Sequence, residues 1–212
     1  MREKFIPALG FSFLTPFYDL ICKATMPSNF RAKFISQIEP KGKERILDFG
    51  SGSGENAILI KLSNKDVDII GIEIDSQIRE IALKKCSKRG VNVRFLLYGG
   101  DILPFQNEYF DKVICSLVFC NLRESQKLHY LEEIYRVVKK SGSIYILDWD
   151  YRRGKINGRI MNHLLKLTPF KYTSNNREQL TNLIEHVGFK NQNKYLYIET
   201  MTGTLYSFHI KK

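Results

Sequence analysis

The sequence predicts an α/β protein whose seven-stranded sheet is mostly parallel, with helices on both faces and an antiparallel hairpin at the carboxyl end. Short apolar runs alternate with segments whose apolar residues recur at helical spacing, which is typical of parallel strands joined by crossover helices. The final two apolar runs are separated by only a few residues, which indicates antiparallel pairing. The chain has 212 residues, a length that suits a single domain with one core.

The first five strands and the helices between them follow from local patterns. Strands are predicted near residues 45–49, 67–74, 91–97, 110–116 and 143–149. Helices are predicted over 55–63, over 76–88 after the capping residue Asp75, and over 124–139, with Gly142 ending the third. A helix over 176–187 and strands over 189–198 and 202–210 complete the chain. This order is that of a Rossmann-like sheet.

Composition narrows the class of protein. Apolar residues make up 43% of the chain, so a packed core is expected, and there is no run of about 18 apolar residues that would predict a membrane-spanning helix. We interpret the N-terminal stretch as part of the mature fold, because no small-residue cleavage site follows its apolar part. The four cysteines form no C-x-x-C pair. They predict reduced thiols, no metal site and a cytoplasmic location.

A glycine-rich loop and three acids mark the predicted carboxyl edge of the sheet. The loop DFGSGSG begins with Asp48, at the end of the first strand. Glu73 ends the second strand in GIEID, and Asp101 follows the third in GGDILPF. Ligands of open parallel sheets bind at this edge, and glycines let a backbone approach them closely. Carboxylates can accept hydrogen bonds from ribose hydroxyls and attract a positive charge, so these three acids favour a nucleoside that carries a cationic tail.

A dinucleotide-dependent reductase is a rival interpretation of the same loop. The dinucleotide fingerprint is G-x-G-x-x-G, whereas here the third glycine comes one residue early and Glu55 takes its place. The Asp48 carboxylate would also repel a pyrophosphate. Both observations disfavour a dinucleotide.

Five successive segments resemble the motifs of class I S-adenosylmethionine-dependent methyltransferases. They are ILDFGSGSG, GIEID, GDILPF, FDKVICSLVFCNL and EEIYRVVKKSGSIYILD, and the resemblance runs from Arg45 to the C-terminus. Within that class, the sequence is most similar in style to the small-molecule enzymes related to the ubiquinone/menaquinone C-methyltransferases. The resemblance implies a methyltransferase with S-adenosyl-L-methionine as its cofactor.

The resemblance also implies roles for residues around the loop. Asp48 and the backbone of Gly50, Ser51 and Gly52 would hold the methionine part of the cofactor. Glu73 would bind the ribose hydroxyls, and Ile74 would pack on the adenine.

Further roles fall on the segments beyond the loop. Asp101 and the backbone of Ile102 would read the adenine edge, while Ser116 and Leu117 would face the methionine tail and the methyl group. Tyr18, in Phe17-Tyr18-Asp19, would help close the cofactor site.

No residue is assigned as a catalytic base. Methyl transfer from a sulfonium is an in-line displacement that depends mainly on placing the acceptor beside the methyl. The family often has a histidine after the fourth strand, where this chain has Cys120-Asn121.

Two segments are expected to cover the active site within the single domain 1–212: an N-terminal helical cap over 1–40 and a basic, apolar insertion over 151–177. The insertion has seven Lys or Arg and no acid. Their many aliphatic and aromatic residues predict a small, apolar or aromatic acceptor, lipid-like or quinol-like. The insertion also predicts peripheral contact with an anionic membrane. Equal co-sedimentation with neutral and anionic vesicles would contradict an electrostatic contribution to that contact.

Two further functions stay open. The 33 basic and 22 acidic residues give a net charge of +11, which would suit an RNA or protein methyltransferase. A nucleic-acid enzyme is disfavoured because SLVFCNL lacks the proline pair expected after the fourth strand, where a flipped base stacks. The second alternative is a non-catalytic module that binds the cofactor and docks onto a partner.

Overall fold

A computed structural model describes residues 19–20, 29–150, 177–199 and 204–212, with the side chains of 191–195 left aside. Tyr18, Cys22, most of the predicted cap and residues 151–176 of the predicted insertion lie outside the described residues.

Five helices and seven strands follow one another along the described chain, and they alternate except where β4 follows β3 and β7 follows β6. The strands are β1 Arg45–Phe49, β2 Asp68–Glu73, β3 Arg94–Leu97, β4 Phe110–Ser116, β5 Val138–Asp150, β6 Lys190–Glu199 and β7 Thr204–Lys211. The helices are α1 Phe30–Ile38, α2 Glu55–Ser63, α3 Ser76–Arg89, α4 Glu124–Val137 and α5 Arg177–Val187. A short 3₁₀ turn spans Phe119–Asn121.

The strands form one sheet in the order β3-β2-β1-β4-β5-β7-β6. The pairs among β1 to β5 are parallel, whereas β7 is antiparallel to both β5 and β6. The predicted fold class is therefore confirmed, including the antiparallel hairpin at the carboxyl end.

Both faces of the sheet are covered because the central strands are apolar on both sides. On one face, residues of α1, α2 and α3 pack on alternate strand residues such as Ile46, Ile69 and Ile114. On the other face, α4 and α5 pack on Leu47, Val113 and the other residues of opposite parity.

The predicted boundary between α4 and β5 is wrong. The helix ends at Val137, and Val138 already pairs with Phe110 of β4. Val138 continues the apolar stripe of the helix, which is why the pattern extended the helix too far, yet its backbone is extended at φ −80° and ψ 140°. Gly142 lies inside β5, where a Cβ would meet the Asp111 carbonyl oxygen at 2.8 Å. Glycine at this position therefore allows β5 to lie close to the backbone of β4, and it does not end a helix.

The predicted N-cap of helix α3 is confirmed. The Asp75 carboxylate accepts hydrogen bonds from the backbone N–H groups of Gln77 and Ile78 and so caps α3. Gly188 follows α5 with φ 101°, and its N–H bonds the Glu185 carbonyl. Strand β3 is shorter than predicted and begins at Arg94.

Cys86, Cys115 and Cys120 are buried, free thiols in the described structure. Among the described residues, no helix has the length and apolar character needed to cross a bilayer.

Candidate active site

The candidate site lies where the parallel strands end. The strand order reverses at the centre of the sheet. From β1, the strands β2 and β3 are added toward one edge, whereas β4 and β5 are added on the other side of β1. Such a reversal of strand order opens a crevice at the carboxyl edge. The loop that follows β1 enters this crevice between β2 and β4.

The glycine-rich loop needs glycine on steric grounds. Gly50, Gly52 and Gly54 have φ values of 67°, 52° and 75°, the left-handed region that favours glycine. A Cβ on Gly50 would lie 2.6 Å from Cγ2 of Val118, in the segment that follows β4. The Ser51 N–H donates to the Ile72 carbonyl at 2.9 Å, which fixes the loop to β2.

The Glu73 carboxylate organises the end of β2. Its Oε2 accepts a hydrogen bond of 2.7 Å from the Gly52 N–H, and its Oε1 accepts bonds from the N–H groups of Ile74 and Asp75. Burial raises the pKa of Glu73, while these three bonds oppose that rise. The predicted ribose-binding residue is thus bonded directly to the predicted methionine-binding loop.

Asp48 is buried beneath the loop, with only 1% of its surface exposed. Its Oδ2 has no hydrogen-bond partner. Burial, together with the neighbouring Glu73 carboxylate, raises the pKa of Asp48 from 3.8 to about 7. A buried carboxylate oxygen without a partner is costly, and a cationic ligand at this position would satisfy it.

An apolar surface lies beside Glu73. Ile74 is 45% exposed and Ile102 is 69% exposed, although both belong to the apolar class that is usually buried. A Cβ on Gly99 would lie 3.1 Å from Cγ1 of Ile74, so the segment after β3 runs close to that side chain. Asp101 is exposed in this segment. The four residues predicted around ribose and adenine therefore follow the ends of adjacent strands, β2 and β3.

Polar side chains of α4 hold the Asp101 turn. The His129 ring nitrogen Nε2 lies 2.7 Å from the Asp101 carbonyl oxygen, and Glu133 accepts a bond from the Leu103 N–H. Arg136 donates to the carbonyls of Leu103 and Phe105. The sequence did not indicate these roles for His129, Glu133 and Arg136. Polar residues of a helix more often face solvent, and the partners of these three lie about 30 residues away in the chain.

The segment after β4 carries the one strained backbone position near the crevice among the described residues other than glycine. Leu117 has φ 60°, its N–H donates to the Leu147 carbonyl, and its own carbonyl accepts from the Asn121 amide. Strain of this kind persists where surrounding bonds impose it, often at functional sites. Ser116 ends β4 directly before it.

Beneath this segment, Asp148 of β5 is fully buried and fixes the 3₁₀ turn. Its Oδ2 accepts from the Cys120 N–H and its Oδ1 from the Trp149 N–H. Burial raises the pKa of Asp148 to about 6, against the effect of these bonds. The backbone of Cys120 therefore ties this turn to Asp148, and burial raises the pKa of its thiol.

The fold and the site together define a class. A sheet of this order, with a glycine-rich loop after β1, an acid at the end of β2 and an apolar surface beside it, is the arrangement of class I methyltransferases. Residues 46–142 match the family model described as "Methyltransferase domain". The resemblance seen in the motifs is thereby confirmed over residues 46–142, the part of the chain that matches a methyltransferase domain.

Sequence relatives point to one group within that class. The chain is 30% identical over 142 residues to a demethylmenaquinone methyltransferase of Thermus thermophilus, an alignment covering 66% of this chain and 64% of the relative. It is 34% identical over 109 residues to the ubiquinone/menaquinone biosynthesis C-methyltransferase UbiE of Wigglesworthia glossinidia brevipalpis, covering 50% of this chain and 43% of that one. The chain thus spans less than two thirds of the length of either relative.

Solved structures agree on the fold. A SAM-dependent methyltransferase from Methanosarcina mazei superposes with a TM-score of 0.71 at 19% identity, covering 84% of this chain and 96% of that chain. Phosphoethanolamine N-methyltransferase 2 of Haemonchus contortus, solved in complex with S-adenosyl-L-methionine, gives 0.70 at 18% identity, covering 91% of this chain and 44% of that chain.

Proposed function

We propose that this protein is an enzyme that transfers the methyl group of S-adenosylmethionine to a small, apolar or aromatic acceptor of the quinol type. The observation that supports it most is the buried Asp48 carboxylate, whose unpartnered Oδ2 lies in β1 just before the glycine-rich loop. S-adenosylmethionine carries an ammonium group and a sulfonium, so its charge matches this acidic site.

The residues present fit that cofactor. Asp48 and the backbone of Gly50–Gly52 are proposed to hold its amino acid part, since the buried Oδ2 of Asp48 has no hydrogen-bond partner and a cationic donor would supply one. Glu73 is proposed to accept the ribose hydroxyls: its Oε2 has one backbone bond, which leaves a lone pair for a ligand. Ile74 is proposed to pack on the adenine face.

The segment that follows β4 is proposed to position the methyl group of the cofactor for transfer. When bound, the cofactor supplies an activated methyl group. The strained backbone at Leu117, held by bonds to Leu147 and Asn121, fixes Ser116 and Leu117 beside the crevice. Such positioning contributes most of what an in-line transfer needs from the protein.

The acceptor is proposed from the sequence relatives, which include a demethylmenaquinone methyltransferase. The test is a transfer assay with radiolabelled S-adenosylmethionine, a short-chain demethylmenaquinol, and total RNA as the competing substrate. Label in the extracted quinol supports the proposal. Label in RNA alone would contradict it and favour the nucleic-acid function.

We predict that Glu73→Gln removes recognition of the ribose. Wild type should bind S-adenosylhomocysteine at least tenfold more tightly than its 2′,3′-dideoxy analogue, because a carboxylate hydrogen bond to a hydroxyl contributes about 1.5–3 kcal/mol. The variant should bind both ligands equally and weakly by calorimetry. Glu80→Gln makes the same change at an exposed residue of α3 and should keep the preference. A preference unchanged in Glu73→Gln would exclude the ribose role.

A further inference from the structure

A polar network joins the glycine-rich loop to Asp19, a helical residue near the start of the described chain. The Ser53 hydroxyl donates a hydrogen bond of 2.7 Å to Oδ1 of Asp19. Lys85 of α3 donates to Oδ2 of Asp19 at 2.9 Å and to the Ser53 hydroxyl oxygen at 3.1 Å. Three segments far apart in sequence therefore meet at one point.

The network continues along the helices with a second acid. Lys85 also pairs with Glu55, the first residue of α2, at 2.7 Å. On its outer side, Glu55 pairs with Arg89 at 2.8 Å. Lys85 is thus the shared cation of two carboxylates, whereas Arg89 pairs with Glu55 alone in the described part of the chain.

The ion pair between Lys85 and Asp19 is partly buried, so water and salt screen it less than they screen an exposed pair. The side chains of Lys85 and Asp19 are 17% and 34% exposed. Burial by itself would raise the pKa of Asp19, but the bonds from Lys85 and Ser53 outweigh it and hold the pKa below its usual value. The Asp19 carboxylate is therefore stabilised in its charged form by this network.

The network holds the loop at the residue next to the one that is bonded to Glu73. Gly52 is bonded to Glu73 through its N–H, while the next residue, Ser53, is bonded to Asp19 and Lys85 through its hydroxyl. Both flanking glycines of Ser53 have positive φ, so the loop backbone has conformational freedom that these two attachments remove.

We propose that Asp19 is a positioning residue, which together with Lys85 fixes Ser53 and so preorganises the glycine-rich loop for the cofactor. The inference rests on the proposed function, because it assigns the loop to cofactor binding. When a loop is already ordered, ligand binding does not have to supply the free energy of ordering it, and the affinity is higher. Loss of the Asp19–Lys85–Ser53 bonds should therefore weaken cofactor binding without removing any group assigned to hold the cofactor.

The test measures affinity for S-adenosylhomocysteine by calorimetry in the full-length chain. Asp19→Ala and Lys85→Met should each raise Kd about tenfold, and the double variant should be no weaker than either single variant, since both break one network. Lys85→Arg keeps the charge and should recover most of the affinity. Arg89→Met removes the outer pair to Glu55 only and should bind within about twofold of wild type.

Thermal unfolding without ligand separates this role from a structural one. If Asp19→Ala lowers the melting temperature but keeps wild-type affinity, Asp19 only stabilises the fold and the inference is wrong. Additive losses in the double variant would also overturn it, because the two residues would then act separately. Failure of wild type itself to bind would instead overturn the proposed function on which the inference depends.

Discussion

Asp48→Asn should reduce affinity for S-adenosylmethionine at least a hundredfold. The side chain is almost fully buried, and its free oxygen is the group proposed to receive the cationic end of the cofactor. Asn keeps the shape but loses the charge, and breaking one partner of a buried ionic contact costs about 3 kcal/mol or more. Calorimetry at pH 8 would measure the loss. Asp68→Asn, an exposed change at the start of β2, is the matched control and should bind normally.

The same substitution should change how stability depends on pH. Because the folded-state pKa of Asp48 is about 7, against 3.8 ordinarily, the folded protein holds a proton that the unfolded chain releases. Wild type therefore loses stability as pH rises from about 4, and the loss is complete above about 7. Its size is on the order of 4 kcal/mol. Asp48→Asn lacks this titration.

Urea unfolding of both proteins at pH 5 and pH 8 would measure that difference. The free energy of unfolding of wild type, relative to Asp48→Asn, should fall by a few kcal/mol between the two values. Two curves that stay parallel would mean that Asp48 is charged in the folded state at pH 5. Ligand affinity of wild type should rise over the same range, since the charged carboxylate is the form that binds a cation.

Gly54→Ala should be the most destabilising glycine substitution in the loop region. Its φ is 75°, and a Cβ there would lie 2.6 Å from Cζ of Phe95 and 2.8 Å from Cβ of Ala82. The left-handed backbone costs roughly 1–2 kcal/mol with a side chain, and overpacking adds about 1–3 kcal/mol. We expect a total loss of about 3 kcal/mol, with loss of cofactor binding because α2 begins at the next residue.

Gly90→Ala isolates the backbone cost from the packing cost. Gly90 caps α3 with φ 62°, and nothing lies within 4 Å of a Cβ built there. The free energy of unfolding of the Gly90→Ala variant should be lower than that of wild type by only about 1–2 kcal/mol. If the two variants lost equal stability by urea unfolding, the contacts of Gly54 with Phe95 and Ala82 would have no energetic role.

Local sequence patterns predicted the elements that carry the site. Glu73 ends β2 and Asp48 lies one residue before the end of β1, and parallel pairing brings these strand ends to one edge of the sheet. The α4–β5 boundary was wrong because Val138 satisfies a helical stripe and a buried strand equally well. Only pairing with Phe110, a tertiary contact, decides between them.

Tertiary contacts also account for what the sequence did not show. Nothing local marks Asp19 as the partner of Ser53 and Lys85, which are 34 and 66 residues away. The burial of Asp48, whose Oδ2 has no hydrogen-bond partner, likewise depends on the folded chain, because an acid at a strand end is more often solvated. Residue types and their spacing can predict the ligand class, whereas the bonds that preorganise the loop depend on the folded chain.

The most direct measurement is calorimetric titration of the purified full-length chain with S-adenosylmethionine, S-adenosylhomocysteine and NADH at pH 8. An acidic crevice with a short glycine loop should bind the first two with micromolar affinity and leave NADH unbound. If a protein of native circular dichroism bound neither sulfur compound, or bound NADH instead, the assignment of this edge of the sheet to a cationic methyl donor would be wrong.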